Sequence, residues 1–294
     1  MKANPEFIEK ENDFWACVKL ISQKQGYSKR GVIIVPTAHE VKVLFGELKL
    51  DATKLFAKEG FGNALLRYFQ HRADVLNNEV SSLLMDVEEA TTLYTELHKK
   101  YSPTCQIPMN KQKGEKKSPA FFTGIINMLI EQHIKDAETN YDPRQITAFT
   151  KDKFPARSLS RRVDGSFPHE INPIALWEIK EYYYTTTFGS RIADGVYETM
   201  LDGYELKDVR SIIQRDVFHY LMIDSRRTWW EMGKPYLCRI IDMLHMGLIT
   251  ECLFGKEVVQ RIPELAKEWM EVYKIHAAEY KVAGKQMEIT LSNP

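Results

Sequence analysis

No two of the four cysteines, Cys17, Cys105, Cys238 and Cys252, stand in a C-x-x-C pair. That scatter argues against a disulfide framework and a thiolate zinc site, and reads as reduced thiols in a cytoplasmic protein. Net charge is also missing: 40 Lys and Arg balance 40 Asp and Glu. A protein that coats nucleic acid without preference is basic overall, so that class is disfavoured. A protein that grips DNA in one basic cleft and is acidic elsewhere is not. No apolar run approaches the roughly 20 residues that span a bilayer, and the opening MKANPEFIEKENDFW lacks the apolar stretch of a signal peptide; the expectation is no membrane. Gly60-Phe61-Gly62 is not a complete dinucleotide fingerprint, and there is no Walker loop, nucleophile elbow or His-Glu-x-x-His. The eight histidines, including His133, His219 and His245, show no metal-ligand spacing.

What is present centres on Ser160-Arg161-Arg162-Val163-Asp164-Gly165, followed fourteen residues after Asp164 by Glu178-Ile179-Lys180. Residues two apart on a strand share a face, so Glu178 and Lys180 point together while Trp177 and Ile179 pack the opposite face. Cutting a phosphodiester calls for a divalent cation that neutralises the phosphate and acidifies a water. Magnesium takes hard oxygen ligands and keeps several waters. Asp164, Glu178 and the Ile179 carbonyl form such a set. Lys180 is placed to stabilise developing charge, orient the water or, were its pKa depressed, accept a proton. The tripeptide alone carries little: Glu-x-Lys occurs six times, at Glu40, Glu47, Glu115, Glu178, Glu205 and Glu279. Only Glu178 combines a strand-like setting with an acid on the preceding strand-like segment. The competing explanation is an ordinary ion pair on a sheet face.

These residues resemble the motif of the PD-(D/E)XK nuclease superfamily, and within it the type II restriction endonucleases. Asp164, Glu178 and Lys180 take the three motif positions, with Val163 where the family name has proline. The stretch WEIKEYYYTTTFGSR to ADGVYETMLDGYEL is similar to restriction-type proteins. The resemblance implies an α+β (mixed α/β) fold with an αβββαβ core. It implies a magnesium-dependent, sequence-specific endonuclease of double-stranded DNA that leaves 5′-phosphate and 3′-hydroxyl ends. It also implies Glu131 on the preceding helix as a further metal ligand and Gln214 as a further site residue. Because one site cuts one strand, a homodimer on a palindromic target is expected, with a cognate DNA methyltransferase as partner in the same system. DNA repair or structure-specific cutting, RNA cleavage, and a catalytically silent nucleic-acid-binding module stay open.

Organisation follows the same reading. Residues 1–105 form a mainly helical N-terminal subdomain for DNA grip or dimerisation. Within it a helix spans Phe7 to Lys24, Thr37 caps a helix to Leu50, and one bent helix or two run from Gly62 to Tyr101. Residues 106–117, with NKQKGEKK, are a basic linker, and 118–294 are the nuclease domain. Ser118 caps a helix with Pro119 at its first position, running to about Lys135. Core strands are expected at 146–154, 158–167, 174–184 and 217–223, and helices after Ser190, over 234–248 and over 264–280. Lys116, Lys117, Arg157, Arg161 and Arg162 form a basic run beside the site, and Arg191 follows Thr185-Thr186-Thr187. These are the DNA-contacting candidates, their phosphate contacts making binding salt-dependent. Glu170 and His169 occupy a turn, and Arg226, Arg227, Trp229 and Trp230 follow the last core strand.

Overall fold

A computed structural model describes residues 1–8, 10–57, 60–112, 115–184 and 189–291. The side chains of 54, 111–112, 115–117, 191 and 277–291 lie outside that description.

The N-terminal region is helical: Pro5–Ile8, Asn12–Gln25, Ala38–Glu47, Ala52–Ala57 and Phe61–Val75. Phe7, Phe14, Trp15, Tyr68 and Phe69 are buried together in its own core. Thr37 caps as expected. Its hydroxyl accepts from the Glu40 N–H at 3.3 Å and the Glu40 carboxylate accepts from the Thr37 N–H at 2.7 Å, satisfying donors that the first turn leaves open. Helix Phe61–Val75 runs on through a π-helical stretch, Leu76–Val80, into Ser81–Leu83. Asp86 then caps a separate helix, Val87–Tyr101, whose Ala90 and Leu97 join one core with Phe122 and Ile125 of helix Phe121–His133.

The centre is a four-stranded sheet in the order Glu251–Phe254, Phe218–Asp224, Ala175–Glu181, Gly165–Phe167. The first three strands are parallel and the last antiparallel. Helices Phe121–His133 and Val258–Leu291 cover one face. Helices Ser190–Ile213 and Lys234–His245 cover the other. The molecule is thus mixed α and β, built in three layers, and among the described residues no helix is long and apolar enough to cross a membrane.

Three expectations need correction. The segment 146–154 is not one core strand. Asp152 and Lys153 both take left-handed backbone (φ 52° and 63°), so Ala148–Lys151 folds back on Phe154–Ser158 as a hairpin outside the main sheet. The expected strand 158–167 shortens to Gly165–Phe167. Leu159 and Val163 leave the extended line to pack with Leu206 and Val209 under helix Ser190–Ile213. Within 106–117, expected as a basic linker, Met109–Gln112 pairs with Glu115–Pro119, which corrects the expected helix start. Pro119 therefore ends a strand, and the helix begins at Phe121 without a cap from Ser118. The Glu181 carboxylate takes that part, accepting from the Thr123 N–H at 3.0 Å.

Candidate active site

Alternation along Ala175–Glu181 sorts its side chains onto two faces. Trp177 is fully buried and stacks on Trp269 at 5.5 Å and 7°, with Ile179 packed on the same core. Leu176 faces the opposite side with Leu206 and Val209, and the period of two puts Glu178 and Lys180 there as well. Gly165 is opposite Trp177 in the register. A Cβ on Gly165 would lie 2.0–2.2 Å from the indole, so only glycine lets the edge strand cross that ring and set Asp164 beside Ile179.

Glu178 has 0 % exposure. Its carboxylate accepts from Lys180 Nζ at 2.7 Å and from Arg161 at 3.0 Å, with a second Arg161 nitrogen at 2.9 Å. Arg161 also reaches Asp202 at 2.6 Å and Glu198 at 3.4 Å, and Lys180 lies 3.5 Å from Glu198. Asp164 stands at the sheet edge, where one carboxylate oxygen accepts from the Ile179 N–H at 2.7 Å. It opens on a cleft of about 270 Å³ bordered by Asn110, Thr123, Tyr141, Asp142 and Ile179. Glu178 and Lys180 do not border that cleft; they lie on the other side of the strand.

Charges in this cluster set one another. Burial would raise Glu178, but Lys180 and Arg161 outweigh it and hold the carboxyl below its usual range. Burial would lower Lys180, but Glu178 and then Asp164 hold it above its usual value. Lys180 is therefore a fixed positive charge and not a ready proton acceptor. Crowding by surrounding atoms, then Glu178, push Asp164 up to about 6, although the residue keeps a solvent-exposed face. Asp202, buried first and then repelled by Glu178, is pushed up to about 7.

The donor set suits a hard divalent cation in kind. Asp164, Glu178 and Asp202 offer carboxylate oxygens; Asp202 Oδ1 is buried without a hydrogen-bond partner, and Glu178 Oε1 is occupied only by its ion pair with Arg161 at 2.9 Å. Arg161 supplies the positive charge between those two acids, and among the described residues no three His, Cys, Asp or Glu side chains converge as a ready-made metal site.

Glu131 is not brought to this cluster: its carboxylate accepts from the Thr104 N–H at 3.1 Å and from the Thr104 hydroxyl. Arg157 lies near Glu205 (3.6 Å) and Asp208 (3.5 Å), on the flank of helix Ser190–Ile213, and Arg162 is exposed. The side chains of Lys116, Lys117 and Arg191 lie outside the described residues. Gln214 ends helix Ser190–Ile213 in left-handed conformation. Glu170 accepts from Asn140 at 2.9 Å, and Trp229 is core. Arg226 donates to the Ser81 carbonyl at 3.0 Å. Sequence reasoning missed the acids of helix Ser190–Ile213. Glu198, Asp202 and Glu205 follow one another at i, i+4 and i+7, a spacing that lays them on one helical face and could have flagged an acidic stripe, though not its partner.

Fold and cluster define a mixed α and β protein with a buried ionic network on its central strand. Residues 85–269, well over half the chain, match the family described as a Domain of unknown function (DUF7687), and the chain belongs to it. Residues 1–79 match a second such description, DUF7690. No curated protein and no solved structure matches the chain.

Proposed function

We propose that the protein is a magnesium-dependent, sequence-specific endonuclease of double-stranded DNA, of type II restriction type. One observation carries the reading: Glu178 and Lys180 lie side by side on the central strand, with Asp164 bonded to the intervening Ile179 N–H at 2.7 Å. Asp164, Glu178 and the Ile179 carbonyl would hold the ion once the Asp164 carboxylate, now bonded to the Ile179 N–H and open to the cleft on the other face, turns around the sheet edge toward Glu178. Bound there, magnesium would neutralise the scissile phosphate and lower the pKa of an attacking water. Lys180, held cationic by Glu178, would stabilise charge developing on the phosphate oxygens. Arg161 would have to turn from Glu178 toward solvent, where its guanidinium can pair with a phosphate in two-pronged fashion. Exposed Arg162 would add a phosphate contact. Two copies would cut the two strands of a palindromic site, and a cognate methyltransferase would protect host DNA.

A second reading, a non-cleaving nucleic-acid-binding module, is favoured by the neutralisation of Glu178 by two cations of the chain itself. The test incubates wild type and Lys180→Ala with several duplex DNAs, plain and base-modified, with and without magnesium, and checks the variant's fold by near-ultraviolet circular dichroism. Discrete fragments that need both magnesium and Lys180 are expected. Equal cutting by a folded Lys180→Ala would sink the assignment, and salt-dependent binding without any cutting would favour the module.

A further inference from the structure

A cavity of about 460 Å³ lies on the far side of helix Ser190–Ile213 from the ionic cluster. Helices Asn12–Gln25 and Lys234–His245 form its other walls, so both halves of the chain build it. Its size falls within the roughly 300–1,000 Å³ typical of small-molecule sites. Tyr197, half exposed, and partly exposed Met200 and Met246 supply aromatic and polarisable surface, and Lys19, Gln23 and Arg239 supply polar groups, while Tyr27 and Met243 are buried in the wall. The Tyr27 ring is taken by two guanidinium groups, Arg239 at 4.2 Å and Arg72 at 5.2 Å, and Arg239 also lies near Tyr236 at 4.9 Å. It donates to the Pro235 carbonyl at 3.1 Å, which fixes it as a flat cationic surface.

The charge here is one-sided. Asp242, the acid in the wall, is already taken by Arg72 at 3.1 Å and by the Tyr68 hydroxyl at 2.6 Å. Among the described residues neither Lys19 nor Arg239 has a carboxylate partner. An occupant that fits brings a planar ring for Tyr197 and the methionine surfaces, a polar edge for the Gln23 amide and a negative group for two cations that lack a carboxylate partner. Bases stack on aromatic faces whatever their sequence, arginine planes and methionines adapt to the same rings, and a carboxamide can read a base edge.

We propose that this cavity binds a nucleotide, with its base against the exposed Tyr197 ring and its phosphate toward Lys19 and Arg239. Two sources share that chemistry: a free mononucleotide, or a nucleotide turned out of a strand, which costs least at a mismatched pair. The proposal is independent of the nuclease reading, and Lys180→Ala is expected to keep the binding.

The test is equilibrium dialysis of the full chain with each of the four 5′-deoxynucleoside monophosphates. A filter-binding arm compares a fully paired duplex with one carrying a single mismatch. Tyr197 is 49 % exposed, so Tyr197→Ala removes a ring without opening the core, and Lys19→Ala removes a cation at the mouth. Loss of one stacking partner is expected to weaken binding about tenfold. Monophosphate binding that drops in both variants supports the free ligand. Tighter binding of the mismatched duplex, again lost in both variants, supports the strand source. No binding in either arm, or binding that both variants leave unchanged, overturns the proposal.

Discussion

Arg161 is the residue on which the cluster turns. It joins Glu178 and Asp202, both with 0 % exposure, while keeping about a fifth of its own side chain in solvent (22 %). Removing one partner of a buried pair costs about 3–5 kcal/mol. For Arg161→Ala the lower figure, about 3 kcal/mol, is expected in urea unfolding, because Lys180 still faces Glu178 and Asp202 can take a proton. If the freed carboxylates accept a divalent ion, millimolar magnesium should restore part of this loss and stabilise the variant more than wild type. A variant stabilised no more by magnesium than by a monovalent salt of equal ionic strength would show that these acids do not take the ion. Gly165 offers a steric counterpart. A methyl 2.0–2.2 Å from the Trp177 indole must displace a ring locked against Trp269. Overpacking costs about 1–3 kcal/mol, and Gly165→Ala is expected at about 3 because the stacked pair has no free side to move into. The midpoint of urea unfolding checks it; a change within experimental error would mean that the edge strand shifts freely.

Between elements, Asp224 is the clasp. At the end of strand Phe218–Asp224 it accepts from the Met85 N–H and Ser225 N–H, each at 2.8 Å, and from the Tyr183 hydroxyl. It thereby ties the sheet to the start of helix Val87–Tyr101. Those donors favour the carboxylate, yet burial outweighs them and pushes the group from 3.8 to about 7. The folded state thus holds a proton that the unfolded chain releases. The associated stability is fully present below about pH 4 and is lost as pH rises through about 7. Asp224→Asn stays neutral throughout, so its stability should fall less than that of wild type over this range in a urea series. Parallel pH curves would refute the assignment. Elements of this length and periodicity were largely legible beforehand: Phe218–Asp224 lies at the expected 217–223, and helix Lys234–His245 within 234–248. Strand Glu251–Phe254 was not legible, because four residues carry no period and their partner, Phe218–Asp224, lies far back in the chain. The pairing Met109–Gln112 with Glu115–Pro119 hid in linker-like composition. At the site, the period of two alone aligned Glu178 with Lys180. The convergence of Arg161, Glu198 and Asp202 depends on how helix Ser190–Ile213 lies on the sheet, which no local pattern encodes. The partner of Glu131 was hidden for the same reason: the rotation of helix Phe121–His133 sends its carboxylate to Thr104.

Two family descriptions meet between residues 79 and 85, yet the molecule is not divided there. One apolar core holds Tyr27, Ala73, Leu76 and Val80 together with Leu221, Leu237 and Phe254. Arg72, fully buried, pairs with Asp242 at 3.1 Å across the same junction and also donates to Ser22 at 3.2 Å. A charge with no exposure is tolerable only while its partner remains. The two regions should therefore unfold in a single cooperative transition, with tryptophan fluorescence and far-ultraviolet circular dichroism coincident in urea. Asp242→Ala leaves Arg72 and the Tyr68 hydroxyl without their common acceptor, and a loss of about 3–5 kcal/mol is expected. Replacing both ends with apolar groups, Arg72→Met with Asp242→Leu, removes the uncompensated charge and should recover most of that loss. If the single variant instead gave two separate transitions, the junction would be a docking contact between independently stable units. If the double variant were no better than the single one, the hydrogen bonds to Tyr68 and Ser22, and not the buried charge, would be what the pair protects.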